Sequence, residues 1–177
     1  MNDNELAKLL RTHAYLEGDF VLRSGRRSRY YLDKYRFETE PALLRELGDR
    51  IAARALDANG ERPDRLAGPE LGGVALAAAA SLASGLPFLI VRKEAKEYGT
   101  EKRLEGGFAA GERVCLVEDV ITTGGAAVSA VKALREAGLE CRSAVCVVDR
   151  EEGGADELAR HGVRLFPLFR ASDVLEA

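Results

Sequence analysis

Apolar residues recur at helical spacing near the start of the chain, where Leu6, Leu9 and Leu10 share a face, and this predicts an amphipathic helix. Two apolar runs follow, Phe20-Val21-Leu22 and Tyr30-Tyr31-Leu32, flanking Ser24-Gly25-Arg26-Arg27-Ser28. That arrangement reads as a hairpin, so residues 1–38 form a small hood ahead of the core. From Pro41 to about Ala58, Leu43, Leu44, Leu47, Ile51 and Ala55 again line one helical face. Thr39 or Glu40 is placed to begin that helix and Asn59-Gly60 to stop it.

The remainder alternates short apolar runs with helical patterns: Arg65-Leu66-Ala67, then 74–84; Phe88 to Val91; Arg113 to Val117, then 126–137; Ala144 to Val148, then 155–160. Such alternation predicts an α/β fold with a central, mainly parallel sheet flanked by helices on both faces. Gly138 stands where a left-handed residue closes a helix, and Arg164 to Phe169 supplies an edge strand. Between Lys93 and Glu112 the periodicity disappears into a charged stretch punctuated by glycine. A loop of that length within a compact domain is either functional or disordered, and residues 94–111 read as a mobile active-site loop. With 177 residues, 46% of them hydrophobic, residues 1–177 are expected to form a single domain.

Charge narrows the partners. Lys and Arg number 26 against 29 Asp and Glu, a net charge of -3, so no general attraction to nucleic acid or to an anionic membrane exists and an anion site must be built locally. The three cysteines, Cys115, Cys141 and Cys146, lie in apolar runs without a CxxC pair. They read as buried thiols of a reducing compartment, and His13 and His161 are too few and too far away to complete a zinc site. Any metal is expected to be oxygen-bound. The polar, acidic start Met1-Asn2-Asp3-Asn4-Glu5 and the short longest apolar run, Val74 to Ala80, point to a cytoplasmic protein without a membrane span.

The chemistry concentrates in Val114-Cys115-Leu116-Val117-Glu118-Asp119-Val120-Ile121-Thr122-Thr123-Gly124-Gly125. A buried parallel strand ends where ligands collect, so Glu118 and Asp119 should emerge at the carboxyl edge of the sheet. Thr122 to Gly125 then form a turn whose N–H groups and hydroxyls surround a phosphate at the positive end of the next helix. Carboxylates repel a neighbouring phosphate unless something separates them. A ribose does so, giving its hydroxyls to the acids and its 5-phosphate to the turn. An acidic pair also stabilises positive charge developing on a sugar ring. There is no GxxxxGK[ST], which excludes a P-loop nucleotide triphosphatase, and no GxGxxG follows a strand.

Three further segments join this one. Ala67-Gly68-Pro69-Glu70-Leu71-Gly72-Gly73 is a second strand-to-helix turn, equally readable as an anion cradle or as ordinary Gly-Pro punctuation. Arg92, Lys93 and Lys96 lead from a strand into the long loop; they suit a leaving group that gains negative charge, or a solvated loop. Val147-Val148-Asp149-Arg150 delivers an arginine to the same edge as the acids.

Residues 114–125 closely resemble the phosphoribosyl-pyrophosphate signature of the type I phosphoribosyltransferases, and the RKxxKxxG stretch from Arg92 to Gly99 resembles the loop that marks the orotate phosphoribosyltransferases among them. The resemblance runs from the hairpin to Arg150. It implies the type I fold, transfer of the 5-phosphoribosyl group of phosphoribosyl pyrophosphate (PRPP) to orotate in pyrimidine synthesis, and Mg²⁺ carried by PRPP with no firm direct protein ligand. It also implies a homodimer with shared active sites.

By the same resemblance Glu118, Asp119, Thr122, Thr123, Gly124, Gly125 and Ala126 hold the ribose phosphate of PRPP. Arg92, Lys93, Lys96, Tyr98, Glu70, Leu71 and Gly72 hold its diphosphate, with Arg92, Lys96 and Tyr98 serving the neighbouring subunit. Lys96, Asp119, Glu118 and Arg92 are the catalytic set, and Arg23, Tyr31, Thr122 and Arg150 hold orotate. The chain departs from the pattern at Gly72, where many members carry lysine, and at Tyr98, where many carry histidine. A phenol titrates at about 10 and cannot shuttle protons near neutrality. Arg23 replaces a frequent lysine, and Tyr31-Leu32 a frequent pair of aromatics. A transferase for a purine would keep the acids and lack the Arg-Lys loop. A PRPP-sensing regulator of RNA or DNA would show a basic surface or a helix-turn-helix, and neither is present.

Overall fold

The computed structural model describes residues 1–21, 25, 27–94 and 103–177, apart from the side chains of Asp57 and Asn59. Arg23, Lys96 and Tyr98 therefore lie outside the described residues. Helix α1 (Asp3–Ala14) opens on a reciprocal cap in which Asn2 Oδ1 accepts from the Glu5 N–H and Glu5 Oε2 accepts from the Asn2 N–H, both at 2.9 Å. Strands β1 (Tyr15–Val21) and β2 (Arg27–Leu32) pair antiparallel from Tyr15↔Leu32 to Val21↔Arg27, with an irregularity between Glu17 and Phe20. The hairpin thus begins five residues ahead of the apolar run at Phe20, because the polar Glu17, Gly18 and Asp19 hide its first strand. Helix α2 (Lys34–Glu38) follows directly, too short to leave a periodic signal, and α3 (Pro41–Asp57) starts after Glu40 and ends in a 3-10 turn at Ala58–Gly60.

The main sheet has the order β5-β4-β3-β6-β7-β8. Strands β3 (Arg65–Pro69), β4 (Phe88–Val91), β6 (Arg113–Ile121), β7 (Glu140–Asp149) and β8 (Arg164–Arg170) run parallel. Helices α4 (Gly72–Ser84), α5 (Gly125–Glu136) and α6 (Gly154–Arg160) connect them, and α7 (Ala171–Glu176) ends the chain. The long stretch after Lys93 is not wholly irregular: β5 (Leu104–Glu105) returns antiparallel to β4, pairing Val91↔Leu104 and Ile90↔Glu105. Two residues are too few to show alternation, yet they bury Leu104.

Alternation along the strands fills two cores. Cys115, Val117, Val145 and Val147 face α1, α3, α4 and α7, whereas Val114, Leu116, Ala144 and Cys146 face α5 and α6. All three cysteines are buried and unpaired. Gly48 lets α3 close on α4, since a Cβ there would stand 2.8 Å from the Ala79 Cβ. Gly138 has φ +86°, as expected of the residue that closes α5. Among the described residues, no helix is long and apolar enough to cross a membrane.

Candidate active site

Strands β3 and β6 are neighbours whose chains leave in opposite directions, β3 through α4 to β4 and β6 through α5 to β7. A switch of this kind opens a crevice at the carboxyl ends of the two strands. Pairing of β3 with β6 stops at Ala67↔Leu116, while β6 and β7 stay paired through Glu118↔Cys146 to Ile121↔Asp149. The last residues of β6 therefore keep one edge in the sheet and the other open to the crevice.

Both acids lie on this segment. They belong to the strand and do not project beyond it, because β7 is long enough to pair with them, and Glu118 and Asp119 are only 8% and 2% exposed. Strand alternation sends Asp119 toward α2 and α4 and Glu118 to the side of Leu116 and Cys146. Lys34 Nζ, from α2, sits 2.6 Å from Asp119 Oδ2. Glu38, one turn on, is 4% exposed, and its Oε1 receives no hydrogen bond. Its neighbour Asp119 also bears only acceptors when ionised, so Glu38 gains a bond there by holding a proton and donating it. Burial, then the charge of Asp119, pushes both Glu38 and Glu118 up to about 8. Burial alone would lower Lys34, but its hydrogen bond to Asp119 and the surrounding negative charges outweigh that and raise it.

The turn from Thr122 to Ala126 is exposed except at Gly124, which takes φ +84° ahead of α5. The first helical bond runs from the Val128 N–H to the Gly124 carbonyl at 2.9 Å. The N–H groups of Gly125, Ala126 and Ala127 have no partner within the helix, and the helix dipole adds positive potential there. The second glycine turn, from Gly68 to Gly73, approaches Asp119 from α4. Glu70 is tied to the root of the long loop: its Oε1 accepts from the Lys93 N–H at 2.6 Å, and its N–H donates to the Val91 carbonyl at 2.9 Å. Leu71 is exposed, and the Glu70–Leu71 peptide is cis.

Arg150 follows β7, and its N–H donates to the Ile121 carbonyl at 2.9 Å, beside the phosphate turn. Its guanidinium stacks 5.2 Å over the Tyr30 ring, lies 3.2 Å from Glu152 Oε1 and leaves Nε without a partner. The hairpin residue facing Arg150 is thus Tyr30. Tyr31 points to the other side of β2, exposed, with its ring 5.6 Å from that of Phe20. Arg92 turns to β5, 3.8 Å from Glu105 Oε1.

The fold therefore gathers Gly72, Glu118, Asp119, Thr122 to Ala126 and Arg150 at one edge. It adds Lys34, Glu38 and Tyr30, which the sequence reading passed over. The available signal was the i, i+4 spacing of Lys34 and Glu38, which looks like an ordinary solvated helical pair. Two surface depressions, one among Ala58, Pro63, Arg113 and Ser143 and one among Ala155, Gly162 and Arg164, touch neither the acids nor the turns.

A buried acid on an open strand edge, followed at once by a helix end free to bind phosphate, suits a ribose 5-phosphate, and it places the chain in the class of phosphoribosyltransferases. The phosphoribosyl transferase domain family matches residues 36–163. The orotate phosphoribosyltransferase of Methanocella arvoryzae is 52% identical over 174 residues, which cover 98% of this chain and 97% of that one. The crystal structure of orotate phosphoribosyltransferase from Aeropyrum pernix superposes with a TM-score of 0.85 at 36% identity, covering 97% of this chain and 96% of that chain. The Mycobacterium tuberculosis orotate phosphoribosyltransferase in complex with 5-phospho-alpha-D-ribosyl 1-diphosphate superposes at 0.80 with 31% identity, covering 97% and 98%. The chain belongs to the orotate phosphoribosyltransferase family.

Proposed function

We propose that the protein transfers the 5-phosphoribosyl group of PRPP to N1 of orotate, forming orotidine 5'-monophosphate and pyrophosphate. One observation carries this reading: buried Asp119 lies on the open edge of β6 and the unbonded N-terminus of α5 begins just downstream. A ribose between them gives its hydroxyls to Asp119 and Glu118 and its 5-phosphate to Thr122, Thr123 and the N–H groups of Gly124 to Ala126. As the C1–O bond to the diphosphate breaks, positive charge gathers on the ring and negative charge on the leaving oxygen. A carboxylate beside the ring stabilises the first; the N–H groups of the 68–73 turn and the loop cations Arg92, Lys93 and Lys96 meet the second. Orotate N1 bonds to C1, the C1–O electron pair leaves with pyrophosphate, and the N1 proton passes to a pyrophosphate oxygen or to water. No covalent nucleophile is needed.

Arg150 is the residue for the orotate carboxylate, since a guanidinium presents paired donors in a fixed plane. Its stack on Tyr30 holds that plane, and Arg23 joins the base site from the hairpin. Residues 1–38 serve as the hood and 94–111 as the lid, and at the root of the lid the Arg92 N–H donates to the Arg103 carbonyl at 2.7 Å. In a cytoplasmic homodimer this lid, with Arg92, Lys96 and Tyr98, serves the neighbouring site.

Among the described residues no group of three or more His, Cys, Asp or Glu side chains could hold a metal ion. Mg²⁺ arrives on PRPP with substrate and water as its ligands and no firm direct protein ligand; of the two acids, Asp119, on the α2 side of β6, is the one placed to add a carboxylate oxygen. When bound, the ion neutralises the diphosphate.

The test mixes the protein with Mg²⁺, PRPP and orotate, uracil or hypoxanthine in turn and follows pyrophosphate release. Release with orotate alone is expected. Release with hypoxanthine alone would move the protein to the purine transferases, and none with any base would sink the reading.

A further inference from the structure

Position 72 is glycine for a reason visible in the crevice. A Cβ there would fall on Asp119 Oδ2 and come within 2.7 Å of Glu38 Oε1. The space that a side chain from this turn would occupy is held by two carboxyl oxygens, and Lys34 Nζ sits on one of them at 2.6 Å. The 68–73 turn accordingly offers N–H groups and carries no cation, although the diphosphate is the most anionic part of the substrate. A second observation marks the same corner: Glu38 is buried, its Oε1 receives no hydrogen bond, and it is aimed at the point where the missing Cβ would stand. The corner has more acceptors than donors. Lys34 stands at its mouth, with its side chain 32% exposed against 3% for that of Asp119.

We propose that Lys34, delivered by α2, is the cation of the diphosphate corner, resting on Asp119 in the empty site and taking diphosphate oxygens when PRPP is bound. The inference rests on the phosphoribosyltransferase reading above. A ribose hydroxyl replaces the ammonium as the donor to Asp119, and the ammonium moves to the anionic oxygens beside it. Lysine suits such an exchange, since its charge is compact and its stem has four rotatable carbons. Glu38 is the positioning residue, one helical turn below Lys34 and against the same carboxylate.

The experiment measures binding of PRPP, of pyrophosphate and of ribose 5-phosphate, each with Mg²⁺, by calorimetry on the wild type, Lys34→Met, Lys34→Gln and Lys34→Arg. Glutamine still donates to Asp119, so it protects the fold where methionine would strand a buried carboxylate. Loss of Lys34 should weaken PRPP and pyrophosphate about tenfold or more, the scale of one charge-assisted hydrogen bond. Ribose 5-phosphate, which lacks the diphosphate, should change less than about twofold, and arginine should recover most of the loss. Equal losses for PRPP and ribose 5-phosphate would show that Lys34 acts only through Asp119, and unchanged PRPP binding would show no role; either overturns the proposal. A wild type that binds PRPP but transfers to no base would overturn the function reading while leaving this comparison valid.

Discussion

The turns after β3 and β6 hold the same place in their strand-helix units and are both rich in glycine, yet one is crowded and the other open. In the first, a Cβ at Gly68 would overlap the Gly73 carbonyl, one at Gly73 would come 2.7 Å from the Val117 carbonyl oxygen, and Gly72 faces the Asp119–Glu38–Lys34 group. In the second, Gly125 has nothing within 4 Å of its missing Cβ, and Gly124 is needed for its left-handed φ of +84°. Glycine supplies absence of bulk in one turn, and conformation and access in the other. The first can thus gather a buried acid cluster while the second leaves N–H groups bare for a phosphate.

The contrast can be broken most sharply at the open turn. Ala126→Asp puts a carboxylate in the first turn of α5, where the helix dipole favours it and thermal stability should hold or rise slightly. It also stands where the 5-phosphate binds, so KM for PRPP should rise about 100-fold, the scale of a repulsion of two to three kcal/mol. An unchanged KM with PRPP would remove this turn from the phosphate site.

At the crowded turn Gly72→Ala should cost about 1–3 kcal/mol of stability through overpacking, and about tenfold in kcat/KM as Asp119 and Lys34 shift. Denaturant melts and steady-state kinetics read the two losses. A stable, fully active alanine variant would mean that the acid cluster can move aside freely, contrary to its burial.

The acid cluster also predicts a pH dependence. Glu38 and Glu118 are raised to about 8 in the folded protein from an ordinary 4.5, so between those values the folded state holds more protons than the unfolded one. Their stabilisation is fully present below about 4.5 and is lost progressively as the pH rises toward about 8. The unliganded protein should melt lower at about pH 9 than at about pH 6, and Glu38→Gln should make that fall shallower. A fall of the same depth in the variant would assign the titration to other groups. The smallest effect belongs to Gly125→Ala, expected within about 0.5 kcal/mol of the wild type because the added methyl meets only open space.

Much of the fold was legible in the chain because its signals are local. Leu43, Leu47 and Ile51 mark α3, Phe88 to Val91 mark β4, and Gly138 closes α5. The candidate site was legible wherever its parts are contiguous, as from Val114 to Gly125. Strand alternation did not reveal β5, since Leu104 and Glu105 are two residues, nor the early start of β1 through Glu17 and Asp19. Residue type does not tell which of the adjacent Tyr30 and Tyr31 faces Arg150; the register of β2 turns Tyr30 to it and leaves Tyr31 with Phe20.

The chain by itself determined a parallel sheet with helices on both faces and an acid-hydroxyl-glycine segment at the end of one strand, because periodicity and turn chemistry act between near neighbours. Only the tertiary structure decided that Lys34 and Glu38, from a five-residue helix remote in sequence, meet Asp119 and leave room at position 72 for nothing larger than glycine. Charge pairing and steric exclusion depend on distance in space, and burial magnifies both.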